Sequence, residues 1–323
     1  MTLRENILNL LKTLVNDNSD VLINLIGEEL TAEYRSIRST IQYKNPWFTP
    51  ENIDLGVRFL AHTISEQKQL PEARKEILHI YNEDFPLEAF SIMIEKVLQG
   101  GGYAGKALKT PNELNEFLAK LIFKIEPDMQ TRIKFDDFNV KSADSVLIKE
   151  GAFSEKQQLT YFQDKMELLS PKRSVLLLNG DESVEQMERA GEFVFNGFGF
   201  YPFSVKTILI PNEQLIQNIL PCWEKFQPIM HHHRYANNYE YQRSVLLFNK
   251  QKHYDNGFLI LQESNNLLAP TGMLFFVVVK NNNDLIKYTE RNRSNIFAII
   301  SERNPNLENF QVLDLNSAFG FFS

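Results

Sequence analysis

A single cysteine, Cys222, stands in a chain of 323 residues. That scarcity excludes a disulfide framework and any metal site built from several thiolates, and it leaves one thiol for nucleophilic chemistry. Glycine and proline are also few, at 14 and 13, so collagen-like and low-complexity architectures are excluded and regular elements are expected. The longest strongly apolar run, Met273 to Val279, is too short to span a bilayer. The start, where Arg4, Glu5 and asparagines interrupt the apolar residues, lacks a signal-peptide core, and the expected location is cytoplasmic. Basic clusters are missing too. With 34 Lys and Arg against 41 Asp and Glu, the formal net charge is -7, and nucleic acid is not an expected partner, because phosphate neutralisation needs clustered cations.

What is present is enough apolar material for a large core divided into two lobes. The first seventy residues follow a helical rhythm, with Ile7, Leu10, Leu11 and Leu14 on one face. Thr49-Pro50-Glu51 reads as a helix start, with the hydroxyl as cap and proline in the first turn. From Lys75 onward, short apolar runs predict strands at Glu76–Tyr81, Ser145–Ile148, Ser174–Leu178, Val205–Ile210, Ser244–Phe248 and Met273–Val279. Between them, helices are predicted at Pro86–Leu98, Pro111–Lys124, Ser154–Leu169, Asp181–Asn196 and Asn212–Phe226. The alternation predicts an α/β fold with crossover helices. With no low-complexity linker, the lobe boundary is placed near Gly197 to Gly199.

Two motifs invite a chemical reading. Gly100-Gly101-Gly102-Tyr103-Ala104-Gly105-Lys106 matches the spacing of a phosphate-binding loop up to its lysine. However, Ala107 lacks the hydroxyl that would ligate magnesium, and the preceding segment reads as helix rather than strand, so a helix terminator feeding a strand is the better reading. The second motif is His231-His232-His233-Arg234-Tyr235-Ala236-Asn237-Asn238-Tyr239-Glu240-Tyr241. Consecutive imidazoles point in different directions on a helix or a strand, so no metal site is expected. Two readings stay open: a recognition face made of His233, Tyr235, Asn237, Asn238 and Tyr239, or alternate side chains buried and satisfied by the asparagines.

Four segments, taken in order, resemble one family. Asn45-Pro46-Trp47-Phe48-Thr49-Pro50-Glu51-Asn52, Ser174 to Glu182 (SVLLLNGDE), His232 to Tyr241 (HHRYANNYEY) and Asp255 to Glu263 (DNGFLILQE) are similar to the long-chain acyl-CoA reductases. These are bacterial acyl-protein thioester reductases related to those that supply fatty aldehyde for luminescence. The resemblance implies an aldehyde-dehydrogenase-like architecture of two Rossmann-like three-layer lobes. An N-terminal helical segment would cover residues 1–70, a nucleotide-binding-like lobe 71–197 and a catalytic-like lobe 198–323. It also implies a cysteine thiolate that attacks a fatty acyl thioester and an acyl-enzyme that NADPH reduces to an aldehyde.

The residues that would carry this chemistry depart from the family's pattern. Counting back from Pro211 along Val205–Ile210, Pro202 occupies the nucleophile position, and proline brings neither a nucleophile nor a backbone N–H. Ser204 shows no neighbouring acid–base pattern, and Cys222 lies in a helical stretch as a small packed hydrophobe. In the first turn of the nucleotide lobe, Asn82-Glu83-Asp84-Phe85-Pro86-Leu87 puts Glu83 for a glycine and Asp84 for an amide. Both carboxylates are expected to face the phosphate position and weaken dinucleotide binding. The turn Lys149-Glu150-Gly151-Ala152 adds a further carboxylate beside Gly151. The expectation is a catalytically silent relative with no cofactor, or with NADPH if active. It would be an accessory subunit binding an active reductase, an acyl carrier protein, an acyl-transfer enzyme or an acyl thioester, with an oligomer among the expected assemblies. The alternative is an NADPH-dependent reductase working through an atypical mechanism.

Overall fold

The computed structural model describes residues 2–16, 19–66, 72–109, 112–136, 140–149, 153, 157, 161–162 and 165–315. The chain divides into two compact units, Met1–Ser170 and Pro171–Ser323.

The first unit opens with four helices, α1 (Leu3–Asn16), α2 (Ser19–Ile26), α3 (Glu28–Thr40) and α4 (Pro50–Glu66). Ile7, Leu10, Leu11 and Leu14 are buried, as their spacing predicts. Helix α1 packs along α4, and the Arg4 guanidinium donates to the carbonyl of Ile64 (3.1 Å from Nε) and to that of Ser65 (3.2 Å). It thereby satisfies carbonyls at the end of α4 that have no partner within the helix. Thr49 Oγ1 accepts from Asn52 N at 3.3 Å, which makes the predicted cap.

A parallel sheet follows, from β1 (Glu76–Tyr81), β2 (Gly102–Ala107), β3 (Ile133–Phe135), β4 (Ser145–Lys149) and β5 (Met166–Leu169), in the order β3-β2-β1-β4-β5. Helix α5 (Glu88–Leu98) links β1 to β2, and α6 (Glu113–Ile125) lies between β2 and β3. Every residue of β1 after Glu76 is buried, as a parallel strand covered on both faces requires. Gly100 adopts φ +92° after α5, and Lys106 lies within β2. The glycine run is therefore a helix terminator feeding a strand.

The second unit is built on a seven-stranded sheet of β6 (Arg173–Leu177), β7 (Val205–Ile210), β8 (Tyr254–Asp255), β9 (Ile260–Glu263), β10 (Met273–Val278), β11 (Ile296–Ile300) and β12 (Val312–Leu313). Its order is β12-β11-β6-β7-β10-β9-β8, parallel except for the β8–β9 pair. The helices are α7 (Val184–Phe195), α8 (Leu215–Cys222), α9 (His233–Phe248) and α10 (Asn282–Arg291). A capping box at Ser183 and Gln186 fixes the start of α7.

Three sequence expectations are corrected. The division falls between Ser170 and Pro171 rather than near Gly197–Gly199, because β6 pairs with β7 and α7 is the crossover that joins them. Ser244–Phe248 is the last part of α9, not a strand. Its apolar run continues the helical spacing of the buried Tyr235, Tyr239 and Leu246. The helix predicted over Ser154–Leu169 ends in the strand β5, while much of residues 154–164 and the tail beyond 315 lie outside the described residues.

Candidate functional site

In the first sheet the chain leaves β1 toward β2 and leaves β4 toward β5, on opposite sides. Strands whose connections diverge in this way leave a crevice beyond their carboxyl ends, the place where open α/β sheets bind dinucleotides. Here the crevice is bounded by the turn Asn82–Leu87 and by Lys149 at the end of β4.

Glu83 does not face outward. It is 1% exposed, its Oε1 accepts from Ala89 N at 2.6 Å and its Oε2 accepts from Asn115 Nδ2 at 2.9 Å. The carboxylate thus lies against the first turn of α5, the electropositive position that an anionic ligand would otherwise take. Burial pushes the Glu83 carboxyl up to about 7, against the pull of its bonds from Ala89 and Asn115. Asp84 is paired: Lys149 Nζ lies 3.1 Å from Asp84 Oδ2, 3.4 Å from Glu88 Oε2 and 3.0 Å from the Asn82 carbonyl. Burial alone would lower the Lys149 pKa, but Glu88 and Asp84 more than offset it and hold the ammonium above its ordinary value. The expectation that both carboxylates confront a phosphate is therefore corrected. One is turned inward as a helix cap and the other is matched by a cation. Gly151, with its neighbours Glu150 and Ala152, lies outside the described residues.

The motif Asn45–Asn52 supports this turn from beneath. Asn45 Nδ2 donates to the Glu83 carbonyl at 3.3 Å, and Asn52 Nδ2 donates to the Trp47 carbonyl at 2.8 Å. At Gly56 a Cβ would fall 2.8 Å from the Pro86 carbonyl oxygen, so glycine permits the close approach of α4 to the turn. At the end of β2, the half-buried Lys106 pairs with Asp136 at 2.5 Å. That strand end is where a Rossmann-type sheet reads the adenosine ribose, and a cation there suits a 2′-phosphate. His79, buried in β1, shares a hydrogen bond with the Tyr103 hydroxyl at 2.9 Å. Burial, with Lys149 adding to it, pushes its pKa down to about 3, so the imidazole is neutral.

In the second unit, the segment Asn196–Ser204 precedes β7 and contains Pro202. Gly197, Phe198 and Gly199 take φ of 61°, 54° and 76° in succession. The Pro202 carbonyl accepts from Ser174 Oγ at 3.5 Å. Ser204 is fully buried and its Oγ meets no hydrogen-bond partner among the described residues, so nothing activates it as a nucleophile. Cys222 Sγ donates to the Asn218 carbonyl at 3.2 Å, and burial together with Glu188 pushes the thiol above its ordinary pKa. A raised thiol pKa leaves little thiolate at neutral pH. Lys206, the second residue of β7, is 7% exposed and goes unremarked in a reading by motifs.

The polar and aromatic block does not form one face. His232 caps α9 by accepting from Tyr235 N at 3.3 Å. Tyr235 and Tyr239, one turn apart, are buried, and their hydroxyls donate to the Phe258 carbonyl at 3.0 Å and to Asp255 Oδ1 at 2.6 Å. His233 and Asn237 are exposed, and Asn238 returns its amide to the Arg234 carbonyl at 2.8 Å. The expected five-residue face is corrected to a buried tyrosine pair and an outward remainder, because a helical period separates them.

No family model matches this chain, and no curated protein does. Solved structures do match. An indole-3-acetaldehyde dehydrogenase complexed with NAD+ aligns over 97% of this chain and 76% of its own, at 10% identity and a TM-score of 0.57. A variant of an aldehyde dehydrogenase from Pseudomonas syringae, complexed with NAD+ and octanal, aligns over 96% and 76%, at 10% identity and 0.53. An NADP-dependent glyceraldehyde-3-phosphate dehydrogenase from Bacillus halodurans, complexed with NADP, aligns over 98% and 79%, at 11% identity and 0.53. The fold is therefore that of the aldehyde dehydrogenases. The expectation that no cofactor belongs here is overturned, since structures sharing this fold over nearly the whole chain are complexed with NAD+ or NADP. No helix of the described residues is long and apolar enough to cross a membrane.

Proposed function

We propose that this chain is an acyl-CoA-reductase-like protein that binds a nicotinamide dinucleotide, NADP(H) in preference to NAD(H), but forms no thiol-linked acyl intermediate. It would act as a binding or accessory subunit in fatty acyl metabolism. The observation that carries this reading is Pro202 in the turn before β7, with the chain's one thiol, Cys222, bonded to the Asn218 carbonyl and its pKa pushed up by burial and Glu188. A thioester intermediate needs a sulfur that can both attack and leave.

The crevice beyond β1 and β4 fits a dinucleotide held by side-chain cations. Lys106 would meet the ribose 2′-phosphate, and Lys149 would supply charge beside the pyrophosphate. The start of α5 would not take a phosphate, because Glu83 already fills it. When bound, the cofactor supplies a hydride donor or acceptor. The residues of this chain bind and orient it.

Partner binding would use the outward side of α9, where His233, Asn237, Tyr241 and Phe248 follow one another at helical spacing. Tyr241 is 65% and Phe248 88% exposed, and exposed aromatics of this kind are enriched at protein interfaces. An active reductase, an acyl carrier protein or an acyl-transfer enzyme are the partners in view.

The test has two arms on the full chain. Fluorescence titration with NADPH and NADH should give saturable binding, tighter for NADPH. Incubation with a long-chain acyl thioester should give no hydroxylamine-labile adduct by intact mass and no NADPH oxidation. A labile adduct or steady turnover would overturn the silent reading, and absence of dinucleotide binding would overturn the cofactor assignment.

A further inference from the structure

The second sheet has a crevice of its own. Strand β6 is followed by α7 and by β7 on one side of it, whereas β10 is followed by α10 and by β11, which lies on the other side of β6 and leads outward to β12. The connections leaving the neighbours β6 and β11 therefore diverge. Open α/β sheets take ligands beyond the carboxyl ends of their strands at such a point. A cavity of about 340 Å³ lies there, walled by the ends of β6, β7 and β10 and by the turn that follows β11. Pockets for small molecules run from roughly 300 to 1,000 Å³, so this one suits a small ligand. It is also remote from Pro202. The chain enters β7 from the Pro202 turn and leaves it at Pro211, which lines the cavity, and a strand of this length puts about 20 Å between the two.

The floor is apolar and firmly held. Leu178, Ile210 and Leu285 are buried, and Leu177 and Val279 pack against the core cluster that contains Leu285. Leu178 N donates to the Leu209 carbonyl at 3.0 Å and Val279 N to the Ile210 carbonyl at 2.8 Å, so the strand ladder runs up to the cavity's edge.

The rim carries charge of one sign. Lys280 and Arg303 line the cavity, and no carboxylate does. The acids nearest in sequence are engaged elsewhere or buried. Asp181 pairs with Arg303 and neutralises it. Glu182 accepts from Asn179 N at 2.6 Å and from Gly180 N at 2.9 Å, and Asp284 accepts from Asn281 Nδ2 at 3.0 Å. Glu302 is partly buried and does not line the cavity. Lys280 is exposed and has no ion-pair partner among the described residues. Beside it on the rim, Asn304 Oδ1 accepts from Asn306 N at 2.9 Å, which leaves Nδ2 as a donor.

We propose that this cavity binds a medium-chain monocarboxylate, with its apolar tail on the aliphatic floor and its carboxylate on Lys280 and Asn304 Nδ2. One unmatched cation suits a single negative charge better than a phosphate, which carries nearly two. The site lies wholly within the second unit and does not rest on the dinucleotide reading.

Isothermal titration calorimetry of the full chain with octanoate at low salt tests it. Saturable binding is expected, at least about tenfold tighter than for acetate, which lacks the tail, or for octanol, which lacks the charge. Lys280→Glu should weaken octanoate at least about tenfold, and Lys280→Arg should keep it. Both replace an exposed side chain, and circular dichroism checks that the variants fold. Absence of saturable binding, octanol bound as tightly as octanoate, or an affinity unmoved by Lys280→Glu would overturn the proposal. Octyl phosphate bound more tightly than octanoate would overturn the choice of a carboxylate.

Discussion

Tyr239 donates its hydroxyl to Asp255 Oδ1 at 2.6 Å, joining α9 to the strand and turn that follow it. Asp255 is engaged on every side. Gly257 N donates to Oδ1 at 2.8 Å, and Arg243 Nε lies 3.0 Å from Oδ2. Gly272, at φ +84°, brings the loop before β10 so near that a Cβ would lie 2.7 Å from Tyr239 Cα. The two most conspicuous stretches of the sequence are thus partners in packing, and the phenols are satisfied inside the unit rather than presented for recognition.

Tyr239→Phe should therefore lower stability by about 1–3 kcal/mol, the usual cost of removing a hydrogen bond to a charged group. NADPH affinity should not change. Urea unfolding beside a binding titration checks both, and a wild-type midpoint would show that the bond contributes nothing.

Glu83→Gln should stabilise the protein at pH 8 and lose that advantage toward pH 4.5. The native carboxyl titrates near 7 against an ordinary 4.5. As pH falls through that interval the wild-type native state takes up a proton that the unfolded chain does not, and it gains stability. The interval corresponds to on the order of 3 kcal/mol at most, at about 1.4 kcal/mol per pKa unit. Asn115 Oδ1, buried without a partner among the described residues, could accept from the new amide after a flip of Asn115. Thermal melts of both proteins across pH 4.5–8 decide the matter, and parallel curves would refute it.

Lys206→Met should act in the opposite direction along pH. The native ammonium is disfavoured below about 7 while the unfolded chain holds its proton to about 10.5, so wild-type stability rises as pH climbs between those values. The methionine variant should be the more stable at pH 6, with its margin gone by the upper end of that range. Melting curves at the two extremes would reveal a charged, well-paired lysine if the margin were absent.

Lys106→Ala should weaken NADPH binding by about tenfold, roughly 1.4 kcal/mol, and leave NADH almost untouched. Its partner Asp136 is half exposed, so the cost in stability should be small. Equal losses for the two dinucleotides would remove the 2′-phosphate assignment.

Much of the architecture was legible because strong periodicities carried it. The helical face of Ile7–Leu14 and the runs Glu76–Tyr81 and Val205–Ile210 each became the element their spacing implied. Ser244–Phe248 misled because a short apolar run has no period of its own, and the buried tyrosines upstream decided its form. The boundary was missed because composition does not change at Ser170–Pro171, and the pairing of β6 with β7 that assigns 171 onward to the second unit is a contact between strands about thirty residues apart. At the site, Glu83 and Asp84 were visible as charges, but which way each faced depends on Asn115 and Lys149, distant in sequence. Lys206 carried a signal that went unused: a cation inside an otherwise uncharged strand.

The free protein already seats the Glu83 carboxyl against Ala89 N, where dinucleotide-binding sheets of this kind seat a phosphate, so that end of α5 is organised before any ligand arrives. Amide exchange at Ala89 should be as slow in the empty protein as in the NADPH-saturated one, and whatever tightening the ligand causes should be sought around Lys106 and Lys149 instead.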